Sequence, residues 1–225
     1  MVEAYEKKYG FEYVDMTSWV GNSFSAYLNK KQVEALRNDS GVAQIEEVIE
    51  ADVSSSPPWY NSSNGSETFS WGRNAVNGKI SNGSRRVYIL DTGVGYHSDL
   101  TNVTKRVNAS CGRETNTNHY TSCPQLSSIG CYAHATHVAG IIGAAYGNGG
   151  VAGVNAGANL ISVAVGHQNK NSGTCSSGTD SISIIGALDW IKWDIILNSG
   201  PGTAIVNISI NSAAFTPLYT PALSR

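Results

Sequence analysis

The spacing of apolar and polar positions divides the chain into two parts. In the first part, VEAYEKKY and KKQVEALRN have apolar residues at helical spacing, SFSAYL and VAQIEEVIEA have strand-like composition, and FEYVDM is a possible extra strand. The stretch SSSPPWYNSSNGSE, residues 54–67, is too rich in Ser, Pro, Gly and Asn for a regular element and predicts a linker. We therefore expect a small module over residues 1–53 and a larger unit over residues 68–225.

Short apolar runs alternate with helical segments in the larger unit. RRVYILD, NLISVAVG and AIVNISI have the β-branched composition of buried strands, and helices are predicted over residues 134–146 and 180–197. Strands that alternate with helices predict a mostly parallel sheet with both faces covered. The expected fold class is therefore α/β, preceded by a small α+β module.

Composition and charge exclude two classes of partner. The 225 residues include 15 Lys and Arg against 17 Asp and Glu, a formal net charge of -2, and no basic run that could pair with phosphates. Glycines and charges interrupt every apolar stretch before it reaches the roughly 18 residues of a membrane span. We expect neither a nucleic acid nor a membrane as partner.

Cysteines and glycosylation sequons point to an oxidising compartment. The cysteines lack a CxxC pair, which favours disulfides over structural zinc, with three pairings open. A secreted or other secretory-pathway location is predicted, although MVEAYEKKYG has no apolar signal core and Asn-rich loops also generate sequons by chance. The cysteines and the sequon asparagines are Cys111, Cys123, Cys131, Cys175, Asn38, Asn61, Asn64, Asn82, Asn102, Asn108 and Asn207.

Asp91 is the first candidate for chemistry, because it follows the strand RRVYIL at its carboxyl end, where open parallel sheets place their functional residues. The alternative is a turn-forming Asp before Thr-Gly. DTG also resembles the signature of aspartic proteases, which pair two carboxylates. That reading requires a second such loop or a homodimer, and the chain contains no second DTG or DSG.

The stretch AHATHVAGIIG, residues 133–143, contains the second candidate. His134 and His137 are three residues apart, whereas helical zinc pairs are usually four apart with an intervening Glu, so we predict no metal site. The apolar residues predict a buried helix. We expect His134, at the helix start, to face a cleft, and His137, one turn later, to be structural.

Four motifs stand in the order and spacing of subtilisin-like serine proteases. They are DTGV with the following HSDL, HATHVAGIIG, GVAGVNAGANLISVAV and AIVNISI, within residues 68–211. The larger unit thus resembles the N-terminal portion of a subtilase (peptidase S8) catalytic domain, and QVEALRNDSGVAQIEEV resembles the subtilase propeptide, an inhibitor (I9) module. This resemblance implies a subtilisin-like, doubly wound, mostly parallel sheet, here incomplete, after a ferredoxin-like α+β propeptide module.

The resemblance also implies roles for individual residues. Asp91 and His134 correspond to the acid and base of an Asp-His-Ser triad, in the Asp-before-His order of subtilisins. Ser209, Ile210 and Asn211 correspond to a strand that binds an extended protein or peptide substrate. The propeptide-like module would act as intramolecular inhibitor and chaperone. No cofactor is expected, although a structural calcium ion is possible.

The chain departs from the family pattern at several positions. Ala133 and Ala135 replace glycines around the histidine, and Asn211 and Ser212 replace glycines at the specificity pocket. No nucleophile is identifiable, because neither a GTSMA-like turn nor the oxyanion Asn segment occurs, and GTCSS, with Cys175 and Ser176, precedes the NISI strand and lacks the family context.

These features leave three functions open. The expected one is a truncated serine endopeptidase precursor that carries only the Asp and His of the triad and is inactive alone. The alternatives are a pseudoprotease that binds extended peptides and a propeptide-type inhibitor that lays VIEADV, residues 48–53, into a protease cleft.

Overall fold

The computed structural model describes residues 2–17, 22–48, 50–53, 69–78, 85–108, 123–124, 133–166, 168–169, 174–175, 178–198 and 202–211. The predicted linker over residues 54–67 lies outside the described residues. The statements below concern the described ranges.

The N-terminal module consists of two helices and a two-stranded sheet. Helix α1 (Val2–Tyr9) precedes strands β1 (Tyr13–Thr17) and β2 (Ser23–Ala26), which pair antiparallel, and helix α2 (Lys30–Arg37) follows. The side chain of Asn29 accepts a hydrogen bond from the Gln32 amide and the Gln32 side chain accepts one from the Asn29 amide, a reciprocal cap that explains where α2 begins. The possible strand at FEYVDM is thus present as β1.

The strand predicted over VAQIEEVIEA is shorter than expected and belongs to a different sheet. Residues 42–48 form no regular element, and strand β3 (Glu50–Val53) pairs with two strands of the larger unit instead of with β1 or β2. The apolar positions of residues 42–51 indicated a strand but could not indicate its partner, because pairing across so many residues is set by the tertiary fold.

The larger unit alternates strands and helices as predicted. Its elements are α3 (Trp71–Ala75), β4 (Arg86–Asp91), β5 (Val103–Asn108), β6 (Cys123–Pro124), α4 (Ala133–Gly143), β7 (Asn159–Ala164), β8 (Gln168–Asn169), β9 (Thr174–Cys175), β10 (Gly178–Asp180), α5 (Ser181–Asn198), β11 (Ala204–Ile208) and β12 (Ile210–Asn211).

The main sheet has the order β11-β4-β7-β5-β6. Its first four strands run parallel, and β6 adds antiparallel to β5. Alternate residues of β4 enter two cores: Tyr88 and Leu90 pack with α5, and Val87 and Ile89 pack with α4. The mostly parallel α/β sheet with helices on both faces is therefore confirmed.

A buried ion-pair network holds the amino-terminal end of β4. Asp194 of α5 is fully buried and accepts hydrogen bonds from Arg86 Nη1 at 3.0 Å, from Tyr88 Oη at 2.7 Å and from Lys105 Nζ at 2.7 Å. Burial, and then the hydrogen bond to Asp194, raise the pKa of Tyr88 to about 12. This network fixes α5 against β4 and β5, at the end of the sheet opposite to Asp91.

Candidate active site

Asp91 is the last residue of β4, and its carboxylate is enclosed by the protein. The residue is completely buried, because β4 is a central strand with helices on both faces. Its Oδ1 accepts hydrogen bonds from the Thr92 amide at 2.6 Å and from Thr92 Oγ1 at 3.1 Å. These donors fix the orientation of the carboxylate.

His134 lies in the first turn of α4 and contacts this carboxylate directly. Its Nδ1 is 2.8 Å from Asp91 Oδ1 and 2.9 Å from Asp91 Oδ2, and only 11% of its side chain is exposed. A neutral imidazole whose Nδ1 faces a carboxylate carries its single N–H proton on Nδ1. Its Nε2 is then the nitrogen available as a base. The structure therefore brings the two predicted catalytic residues together.

The loop after Asp91 is attached to α4 and to the sheet. The Val94 amide donates to Ser162 Oγ of β7 at 2.9 Å, and the Gly95 amide donates to Thr136 Oγ1 at 2.9 Å. Gly93 has φ of +102°, a conformation that favours glycine. Thr136 is two residues from His134, so one helix turn carries the histidine and also holds the acid-bearing loop.

Thr92, Thr136 and Ser162 were missed from the sequence. Thr92 could have been found, since it directly follows Asp91 at the strand end and its hydroxyl can bond a neighbouring polar group. Ser162 shows no such signal, because it stands in the middle of the strand NLISVA and only the fold brings it to Val94.

His137 is half-buried one turn further along α4. Burial, and then the nearby His134, lower the pKa of His137, so the neutral form is favoured. Among the described residues, no cluster of three or more His, Cys, Asp or Glu side chains could hold a metal ion.

The two alanines beside His134 fit the helix. Ala133 is exposed and Ala135 is fully buried in the core that α4 forms with β4 and β7. Helix α4 is continuous through both residues, and His134 still reaches Asp91. The two methyl groups are thus compatible with the Asp91–His134 contact.

A three-stranded sheet, β10-β3-β12, lies beside the main sheet. Strand β3 of the N-terminal module is its central strand and runs antiparallel to both neighbours: Asp52 is opposite Gly178 of β10 and also opposite Asn211 of β12. Ile210 is opposite Val53. Two of the three predicted substrate-binding residues therefore do pair with an extended segment.

Ser209 lies outside this ladder, so its substrate-binding role stays a prediction. The Ser209 hydroxyl bonds the Asn207 side chain at 3.2 Å, and Ser209 has no position in the ladder with β3. Strand β10 was not predicted as part of a binding cleft. Its only sequence signal is Asp180, whose Oδ1 accepts from the Ser183 amide at 2.8 Å and caps α5.

Several sequence candidates fall largely outside the described residues. Cys111, Cys131, Ser176 and Ser212 are not described, so the disulfides and the pocket floor remain predictions. Cys175 belongs to β9, which pairs with β8.

The chain is similar to known proteins of one family. The profile of the peptidase S8 subtilase family matches residues 84–221. A thermostable alkaline protease of Halalkalibacterium halodurans is 30% identical over 200 residues, which cover 89% of this chain and 46% of that protein. The chain therefore spans about half the length of this curated relative.

Two solved structures are similar. Fervidolysin from Fervidobacterium pennivorans, a keratinolytic enzyme related to subtilisin, has a TM-score of 0.62 at 17% identity, covering 99% of this chain and 36% of that one. The psychrophilic subtilisin-like protease Apa1 from the Antarctic psychrotroph Pseudoalteromonas sp. AS-11 has a TM-score of 0.45 at 28% identity, covering 70% and 33%. The likeness to fervidolysin supports the fold.

Proposed function

This chain belongs to the subtilase family, and from that premise we propose that it is part of a serine-type endopeptidase in which Asp91 is the triad acid and His134 the triad base. The observation that carries the proposal is the contact of His134 Nδ1 with both oxygens of the buried Asp91 carboxylate, at 2.8 and 2.9 Å.

In the proposed mechanism, Nε2 of His134 accepts the proton of a serine hydroxyl as that hydroxyl attacks the substrate carbonyl, and returns it to the leaving amine. Asp91 keeps the other proton on Nδ1 and stabilises the imidazolium that forms. No serine in the 225 residues has the family's nucleophile context, so we propose that this chain alone has no peptidase activity.

We propose that the substrate binds as an added strand between β10 and β12. In the structure, β3 occupies this position. Both neighbours of β3 are antiparallel to it, and its ladder includes Ile210 and Asn211. Residues 1–53 would then be an inhibitory propeptide module and residues 68–225 the N-terminal portion of a catalytic domain.

A secretory location completes the proposal. It is supported by the sequons and cysteines of the sequence. As a separate finding, the described residues include no helix long and apolar enough to cross a membrane. A structural calcium ion stays a prediction from the family, since the described residues offer no cluster of acidic, His or Cys side chains to name as its ligands.

A serine-directed fluorophosphonate probe tests the catalytic roles. In a chimera, the chain continues after Asn211 into the segment of the H. halodurans protease that carries its nucleophile. We expect labelling and peptide hydrolysis by this chimera, loss of both in its His134→Ala variant and retention in His137→Gln. Labelling that persists without His134 would overturn its role as base.

The unmodified chain is the second arm of the experiment. It is expected to remain unlabelled. Labelling that disappears on His134→Ala would show that the 225 residues do contain a nucleophile, and would contradict the proposal that the chain alone is inactive.

The position of β3 also favours a second function, inhibition of subtilases by the N-terminal module. The purified chain, added to an active subtilase, would then inhibit peptide hydrolysis in a dose-dependent manner. Absence of inhibition at concentrations where the chain is folded would speak against this function.

A further inference from the structure

The structure distinguishes among the glycosylation sequons by what each asparagine amide already does. We propose that Asn38 is a site of N-linked glycosylation, whereas Asn102 and Asn108 are sequons that the folded chain cannot carry in modified form. The proposal rests on the secretory route proposed above, but not on proteolytic activity.

The chemistry of the modification sets the criterion. Attachment forms a bond between Asn Nδ2 and C1 of a sugar, breaks the C1–O bond to a lipid-linked diphosphate, and releases one Nδ2 proton. An asparagine amide has two N–H donors before the reaction and one afterwards. A folded protein therefore tolerates the sugar only where one donor suffices and where the amide reaches solvent.

Asn38 meets both conditions. It is exposed at the C-cap of α2, followed by Asp39 and Ser40 of its sequon. Its Nδ2 donates a hydrogen bond to the Glu34 carbonyl at 2.9 Å. The single N–H that remains after modification can keep this bond, and the sugar on the other position extends into solvent.

Asn102 fails the first condition. Its Nδ2 donates to the Gly143 carbonyl at 2.7 Å and to the Ala158 carbonyl at 2.7 Å, so both hydrogens are used. Its Oδ1 is buried. These bonds connect the end of α4 with the residue before β7, and a sugar on Nδ2 would break one of them and separate the two elements.

Asn108 fails the condition of access. It is the last residue of β5, only 5% of its surface is exposed, and its backbone pairs with Ala164 of β7. A sugar at this position would have to displace the neighbouring strands of the main sheet. Asn102 and Asn108 are therefore structural residues of the larger unit that happen to precede a Thr or a Ser two positions later.

Site-resolved glycan mapping tests the proposal. The chain is expressed in yeast behind a secretion leader, the folded secreted protein is collected, and peptide-N-glycosidase in ¹⁸O water marks each modified asparagine for mass spectrometry. We expect the mark at Asn38 and none at Asn102 or Asn108. Each sequon is read separately, so Asn61, Asn64 and Asn82, which lie outside the described residues, do not affect the result.

Two matched variants distinguish the loss of a sequon from damage to the structure. Each variant removes the hydroxyl of the sequon and keeps the asparagine. Ser40→Ala is expected to reduce the mass of the secreted protein by one glycan, and Thr104→Ala is expected to leave it unchanged. A glycan at Asn102 or Asn108 in folded secreted protein, or an unmodified Asn38, would overturn the proposal.

The test also applies if the protein is retained in the cell instead of being secreted. Chains held in the secretory pathway are mapped in the same way, and an unmodified Asn38 in both pools overturns the proposal. A chimera without peptidase activity that still carries a glycan at Asn38 would contradict the proposed function while leaving this inference intact.

Discussion

The N-terminal module and the α/β unit differ in how they are held together. Strands β4 and β7 each have five buried residues of six, and α5 has ten buried residues. In the module, β1 has one buried residue and β2 none, and α1 and α2 bury one each, Val2 and Leu36.

This difference follows from topology. A parallel sheet with helices on both faces buries both sides of every central strand, whereas a two-stranded sheet with two helices cannot enclose its strands. The α/β unit holds His134 Nδ1 at 2.8 Å from Asp91 Oδ1, whereas the module has few buried residues of its own. Among the described residues, the more buried region thus carries the proposed catalytic groups, and the less buried region is the proposed inhibitor.

The largest expected difference in the free energy of unfolding concerns the carboxylate–lysine contacts of the two regions. Asp194→Ala removes a fully buried carboxylate and leaves Arg86 and Lys105 without their partner, which is expected to cost about 3 kcal/mol in the free energy of unfolding. Urea denaturation followed by circular dichroism measures this.

Its counterpart in the module is Asp39→Ala. Lys8 and Tyr9 hold the pKa of Asp39 well below its usual range, but the Lys8 side chain is 62% exposed. Removal is expected to move the denaturation midpoint of the chain much less than Asp194→Ala does, because exposed pairs contribute little. Equal effects of the two substitutions would contradict the contrast between the regions.

Truncation of a buried leucine is expected to affect hydrogen exchange only in the region that contains it. Leu36→Ala is expected to cost the module about 3 kcal/mol and to expose its amides to hydrogen exchange while β4 and β7 stay protected. Leu160→Ala, at an equally buried site of β7, is expected to increase exchange in the α/β unit. Global loss of protection on Leu36→Ala would show that the two regions unfold as one.

The position of β3 depends on its backbone hydrogen bonds, which a proline substitution would disrupt. Asp52→Pro removes an N–H from the central strand of β10-β3-β12, so the amides of Gly178–Asp180 are expected to exchange faster while β4 is unchanged. Val48→Pro, just outside the strand, serves as the control. Unaltered exchange in β10 would mean that the ladder does not hold β3.

The smallest expected effect concerns His137 and pH. Its lowered pKa means that the unfolded chain takes up a proton near the ordinary value of about 6.5 before the folded chain does, so stability falls as the pH drops below about 6.5. His137→Gln should flatten this dependence and leave stability above that pH unchanged. His97→Gln, at an exposed histidine, provides the comparison, and a flattening of the same size there would contradict the assignment.

The sequence predicts what local pattern and motif determine. The runs RRVYILD, NLISVAVG and AIVNISI predicted β4, β7 and β11, because strands of a parallel sheet are near-continuous apolar segments, although β11 at the edge of the sheet is only partly buried. Asp91 and His134 were found from their position at a strand end and a helix start. In contrast, the bonds of Ser162 to Val94 and of β3 to β10 join residues 68 and more than 100 positions apart, and no local pattern encodes such pairs.

The measurement that tests the central claim most directly is the proton NMR signal of His134 Nδ1–H. A proton shared between an imidazole and a buried carboxylate resonates far downfield, so the wild-type chain and His137→Gln should show this signal, and Asp91→Asn and Asp91→Ala should lose it while the fold persists. A wild-type spectrum without the signal, or a signal that survives Asp91→Ala, would contradict the assignment of Asp91 and His134 as an acid–base pair.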